Sequence, residues 1–114
     1  MTILPLFAVL AADAVAEAKK LSKAGKHTEA VQTLEAELKK SPKSGPLKAA
    51  LADAHYAYGE SLMLNKELPP FRKYPEALRQ FRKVREYDPK NEKAKEHIET
   101  IEGIYKSMGR PVPQ

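Results

Sequence analysis

Gly25-Lys26-His27-Thr28-Glu29-Ala30-Val31, leading on to Leu34 and Pro42, returns further along the chain as Arg72-Lys73-Tyr74-Pro75-Glu76-Ala77-Leu78, leading on to Phe81 and Pro89. Ala77 follows Ala30 by 47 positions, as Phe81 follows Leu34 and Pro89 follows Pro42. Similarity at one fixed offset marks stacked helical units, each too small to bury its apolar face alone. In both copies a small alanine lets a neighbouring helix approach, a large apolar residue one turn on fills the gap beside it, and proline ends the helix.

Outward from these copies the composition is helical. Ala, Glu, Lys, Leu and Arg supply 60 of the 114 residues and Val, Ile and Thr only 13, which excludes a sandwich or barrel. The prolines at 5, 42, 46, 69, 70, 75, 89, 111 and 113 punctuate five helical segments. The first runs from near Pro5 or Asp13 to Ala24 and stops at Gly25. The second, Thr28 to Lys40, lines up Ala30, Val31, Leu34 and Leu38. The third, Leu47 to Leu64, lines up Leu47, Ala50, Leu51, Ala54, Tyr58 and Leu62. The fourth is expected to open with Pro75 at its first position, to bury Ala77, Leu78, Phe81 and Val84, and to stop at Asp88-Pro89. The fifth is capped by Asn91 and carries Ala94, Ile98, Ile101, Tyr105 and Met108 on one face up to Gly109. Three regions result: an apolar segment over 1–12, a helical domain over 13–109 and an extended tail over 110–114.

The pattern resembles the tetratricopeptide repeat, an antiparallel pair of helices whose signature ends with Ala, a large apolar residue and Pro. Ala30, Leu34 and Pro42 fit one copy. Ala77, Phe81 and Pro89 fit the other, with Tyr58-Gly59 at the place of the family's Leu-Gly pair and Leu62 at its following Tyr. The resemblance implies an all-α fragment of a solenoid, two hairpins and a closing helix, over residues 14 to 108. The offset of 47 exceeds the family's period of about 34, and the stretches Pro42 to Gly59 and Gly59 to Ala77 are both longer than the family's. Part of the excess is expected as a long loop, Asn65 to Lys73, around Pro69-Pro70-Phe71.

The family lines its ligand groove with the first helix of each hairpin. By resemblance that groove takes Val15, Lys19, Ser22 and Lys23 from the first hairpin and Tyr56, Glu60, Met63 and Leu64 from the second. Glu60 and Tyr56 contradict a clamp for a terminal carboxylate. The mixed apolar and charged set suits an amphipathic helix or an extended peptide, so the expected function is a non-catalytic module binding a protein or peptide partner, or a second copy in a homo-oligomer. The alternative starts from charge. The net charge is +5, and Arg72, Lys73, Arg79, Arg82, Lys83 and Arg85 accompany a single Glu76 between residues 72 and 85. Such a face could grip nucleic acid or another anionic surface, although a solvated helix face has the same composition.

Catalytic and metal chemistry find no foothold. The chain has no cysteine, which excludes disulfides, thiolate zinc sites and cysteine nucleophiles. His27, His55 and His97 lie in three different segments without the spacing of metal ligands. His27 reads as the packing counterpart of Tyr74, and Glu92, Glu96, Glu99 and Glu102, interspersed with lysines, read as the solvated face of the last helix. No cofactor is expected.

Ile3 to Ala12 is an apolar run interrupted by Pro5, and it is too short to span a bilayer, which takes about 20 residues. Ala12-Asp13-Ala14 is of the type that follows a secretory core, yet no basic residue precedes the run. The reading favours an exported, periplasmic precursor over a cytoplasmic protein. Its rival is a segment that docks on the domain or on a partner.

Overall fold

The computed structural model describes residues 6–114, with side chains from Leu10 onward. These residues form five α-helices and no strand: α1 (Leu6–Lys23), α2 (His27–Lys40), α3 (Gly45–Leu64), α4 (Pro70–Tyr87) and α5 (Glu92–Ser107). Of the apolar segment read over residues 1–12, the first five lie outside the described residues; the rest open α1, which continues unbroken through Asp13.

The helix ends follow from local chemistry. After α1, Gly25 takes a φ of 79°, and the Gly25 and Lys26 amides return to the carbonyls of Ser22 and Leu21. Gly109, with a φ of 66°, closes α5 in the same way through the Tyr105 and Lys106 carbonyls. The Ser44 hydroxyl accepts the Leu47 amide at 3.2 Å to start α3, and the Asn91 side chain accepts the Ala94 amide at 2.9 Å to start α5.

The expected start of the fourth helix needs correction. α4 begins at Pro70, so Pro75 lies inside it, and the connecting loop is Asn65 to Pro69 rather than Asn65 to Lys73. Pro70 occupies the first helical position, where its missing N–H costs nothing. Pro75 then forfeits the single bond its amide would have given the Phe71 carbonyl. The added turn is held elsewhere, because Lys73 Nζ donates to the carbonyls of Met63 at 3.3 Å and Asn65 at 3.2 Å, tying the start of α4 to the end of α3.

Consecutive helices pack on one another, and α1 also packs on α3. Within the α3–α4 pair, Lys73 meets Met63 beside the loop while His55 meets Gln80 and Tyr87 farther away, so the pair is antiparallel. Two apolar cores result. Ala14, Ala18, Ala30, Leu34, Leu47, Leu51 and Ala54 build the first, between α1, α2 and α3. Ala52, Ala77, Leu78, Phe81, Val84, Ala94, Ile101 and Tyr105 build the second, between α3, α4 and α5. Helix α3 thus serves both, and Tyr87 touches both. The Cα radius of gyration is 15.9 Å, above the about 13 Å of a compact chain of this length.

Most of the expected stripes are buried, with Phe81 the largest fully enclosed side chain among the described residues. Met108 departs from its stripe and is 48% exposed, because it lies just past the end of α5. The tail does not stand free. Val112 packs against the second core, and Arg82 Nη1 donates to the Pro113 carbonyl at 2.9 Å.

Candidate functional site

The eight expected groove residues separate into two places. Val15, Lys19, Ser22 and Lys23 line one wall of a cleft of about 220 Å³ between α1 and α3. The floor and far wall are Ala18, Ala50, Asp53, Ala54 and Ala57. Residues 50, 53, 54 and 57 follow the i, i+3, i+4, i+7 spacing of one helix face. Their small side chains leave room above the helix, while the ammonium groups of Lys19 and Lys23 stand exposed one turn apart at the rim. Beyond Val15, which it shares with this cleft, lies a wider apolar hollow of about 950 Å³, lined by Ala11 and Ala12, Pro42 and Pro46, with Lys40 and Lys43 at its edge.

The other four residues do not line that cleft. Tyr56 lies in the seam between α3 and α5, edge-on to Phe81 with ring centroids 5.6 Å apart. Its hydroxyl donates to Glu60 Oε2 at 3.3 Å and lies 3.2 Å from His97 Nε2. Burial first, then the neighbouring Glu60 carboxylate, raises the Tyr56 pKa. Met63 packs against the second core, and Leu64, 77% exposed, ends α3. A Tyr56→Ala change would therefore disturb the packing of Phe81 and His97 as well as any groove.

Most of the basic stretch is already engaged. Arg79 Nε lies 3.7 Å from Glu76, Lys83 Nζ 3.0 Å from Glu86, Arg82 holds Pro113, and Arg85 Nη2 donates to the Pro89 carbonyl at 2.8 Å. Lys73 is bound to the end of α3. Arg72 is exposed in the first turn of α4.

Each histidine has an aromatic neighbour. His27 stacks on Tyr58 at 5.4 Å, His55 on Tyr87 at 6.0 Å and His97 on Phe81 at 4.5 Å. His55 is the polar centre that sequence reasoning missed. Gln80 Nε2 donates to Glu76 at 2.9 Å, which leaves its Oε1 to accept the His55 Nδ1 proton at 2.7 Å. His55 Nε2 is then a buried lone pair without a partner. Neither residue carries a signal for this, since a histidine and a glutamine 25 positions apart are unremarkable until α3 and α4 pair.

Burial holds the pKa of His55 and of His27 below the ordinary 6.5. Both rings therefore stay neutral in the fold at a pH where the unfolded chain takes up protons. The stability contributed by the two neutral rings is complete above 6.5 and is lost as the pH drops through that value toward the lowered native ones. The melting temperature is expected to decrease between about pH 7 and about pH 5. In His55→Asn, whose amide can still donate to Gln80, the decrease should be shallower; an equally steep decrease would show that His55 does not cause it.

Comparison of the chain with protein-family models, with curated proteins and with solved structures gave no match.

Proposed function

We propose that this chain is a non-catalytic interaction module, built from two hairpins of the tetratricopeptide kind and a closing helix, that holds a helix or extended peptide of a partner protein in the cleft between α1 and α3. The observation that carries the reading is the cleft itself, apolar and shallow at its alanine floor and bordered by Lys19, Lys23 and Asp53. Its form suits the apolar edge of a peptide more than a small metabolite, which a deep and largely enclosed pocket would hold. Support for the repeat comes from the positions related by the offset of 47. Ala30 and Ala77 are both fully buried, as are Leu34 and Phe81, while Pro42 and Pro89 are both exposed. Further support comes from the two apolar clusters, each spanning three consecutive helices and both drawing on α3.

The test uses peptides selected by display against the full chain. Ala57→Arg, which places a long cation in the cleft, is expected to weaken capture by about tenfold or more while the helical circular-dichroism signal stays unchanged. Capture at parental strength by the folded variant would place the site outside this cleft.

A further inference from the structure

The loop end of the bundle combines features that the cleft does not use. Leu64, the last residue of α3, is 77% exposed, and Phe71, in the first turn of α4, is 70% exposed. They flank the five-residue loop whose two sides Lys73 ties together. Helix α5 turns back along α4 after the short link 88–91, with His97 stacked on Phe81, so the end of α5 returns toward the start of α4 and adds the exposed Met108. Three of the four large apolar side chains exposed among the described residues thus stand at one end.

The same end is basic. Residues 64–73 and 105–110 contain Lys66, Arg72, Lys73, Lys106 and Arg110 against Glu67 alone. Stabilisation of the helices does not explain all of them. Lys106 suits the last turn of α5, but Arg72 lies in the first turn of α4, where the helix dipole disfavours a cation and where no acidic residue is present. An exposed aromatic next to a misplaced cation is a local conflict that folding does not require.

We propose that this end is a docking surface for an anionic lipid membrane, with Leu64 and Phe71 entering the interface and Lys66, Arg72, Lys106 and Arg110 facing the headgroups. Charge complementarity selects an anionic surface, to which each cation adds attraction. The aliphatic side chains select lipid among anionic surfaces, because Leu64 and Met108 gain nothing from a phosphodiester backbone but gain from the acyl boundary. Binding is peripheral: no helix among the described residues is long and apolar enough to cross a membrane.

The chain contains no tryptophan, so Phe71→Trp provides a single reporter. The full chain is expected to sediment with phosphatidylcholine vesicles containing about 30% phosphatidylserine and not with phosphatidylcholine alone. Trp emission in Phe71→Trp should shift to the blue on the anionic vesicles. The double variant Leu64→Ser, Phe71→Ser should bind about tenfold more weakly or worse, and Lys66→Glu with Arg72→Glu should lose binding as well. All four positions are exposed, and circular dichroism checks that each variant is folded. Absence of sedimentation at low salt, an unmoved Trp emission, or full binding by the double serine variant would each overturn the proposal. Binding to a polyuridine oligomer with none to vesicles would also overturn it and reassign the surface to nucleic acid.

Discussion

Phe81→Ala is expected to lower stability by about 3 to 5 kcal/mol, a large share of the about 5 to 15 kcal/mol that holds a domain of this size together. Phe81 is fully buried and is the largest such side chain among the described residues. It also stacks on His97 at 4.5 Å and receives the Tyr56 ring at 5.6 Å, so its removal leaves α3, α4 and α5 without the side chain they share. Urea unfolding followed by circular dichroism measures the loss. A change below about 1 kcal/mol would mean that the second core does not centre on this ring.

The second large effect comes from the residue that faces it. A Cβ at Gly59 would stand 2.8 Å from Phe81 Cε1 and Cζ, closer than side chains approach in practice. Because the ring is enclosed, it has little room to yield. Gly59→Ala would gain about 1 kcal/mol of helix propensity, yet a net loss of about 1 to 3 kcal/mol is expected from the overpacking. Gly103 supplies the control. It lies in α5 with nothing near its missing Cβ, and Gly103→Ala should stabilise by about 0.5 to 1 kcal/mol. In a Phe81→Ala background the cost of Gly59→Ala should largely vanish, because the methyl then enters the vacated space. Equal effects at the two glycines would contradict the close approach of α3 and α4.

That contact also marks how far the sequence could be read. The second, third and fifth helices were legible to within about two residues; Gly25, Asn91 and Gly109 mark ends by hydrogen bonding or by positive φ, while the Ser44 cap that starts α3 two residues before Leu47 was not read. The stripe of α4 was legible because Ala77, Leu78, Phe81 and Val84 keep helical spacing and are all buried. Its start was not, since Pro70 and Pro75 are both acceptable first residues and only the link from Lys73 to the end of α3 favours the longer helix. The cleft was half legible. Lys19 and Lys23 followed from the family resemblance, whereas the alanines opposite them carry the same letter whether they floor a cleft or fill a core. The division of the groove at Tyr56 and the pairing of His55 with Gln80 depend on how α3 meets α4 and α5, and no single segment encodes that.

Amide chemical-shift mapping of the full chain with a display-selected peptide tests the interaction module most directly. The expected result is saturable shifts concentrated at Val15, Lys19, Ser22 and Lys23 of α1 and at Asp53 and Ala57 of α3, all of them lost in Ala57→Arg. Shifts centred instead on Arg79, Arg82 and Lys83, or a peptide bound with no change along α1, would contradict the assignment of the cleft as the binding site.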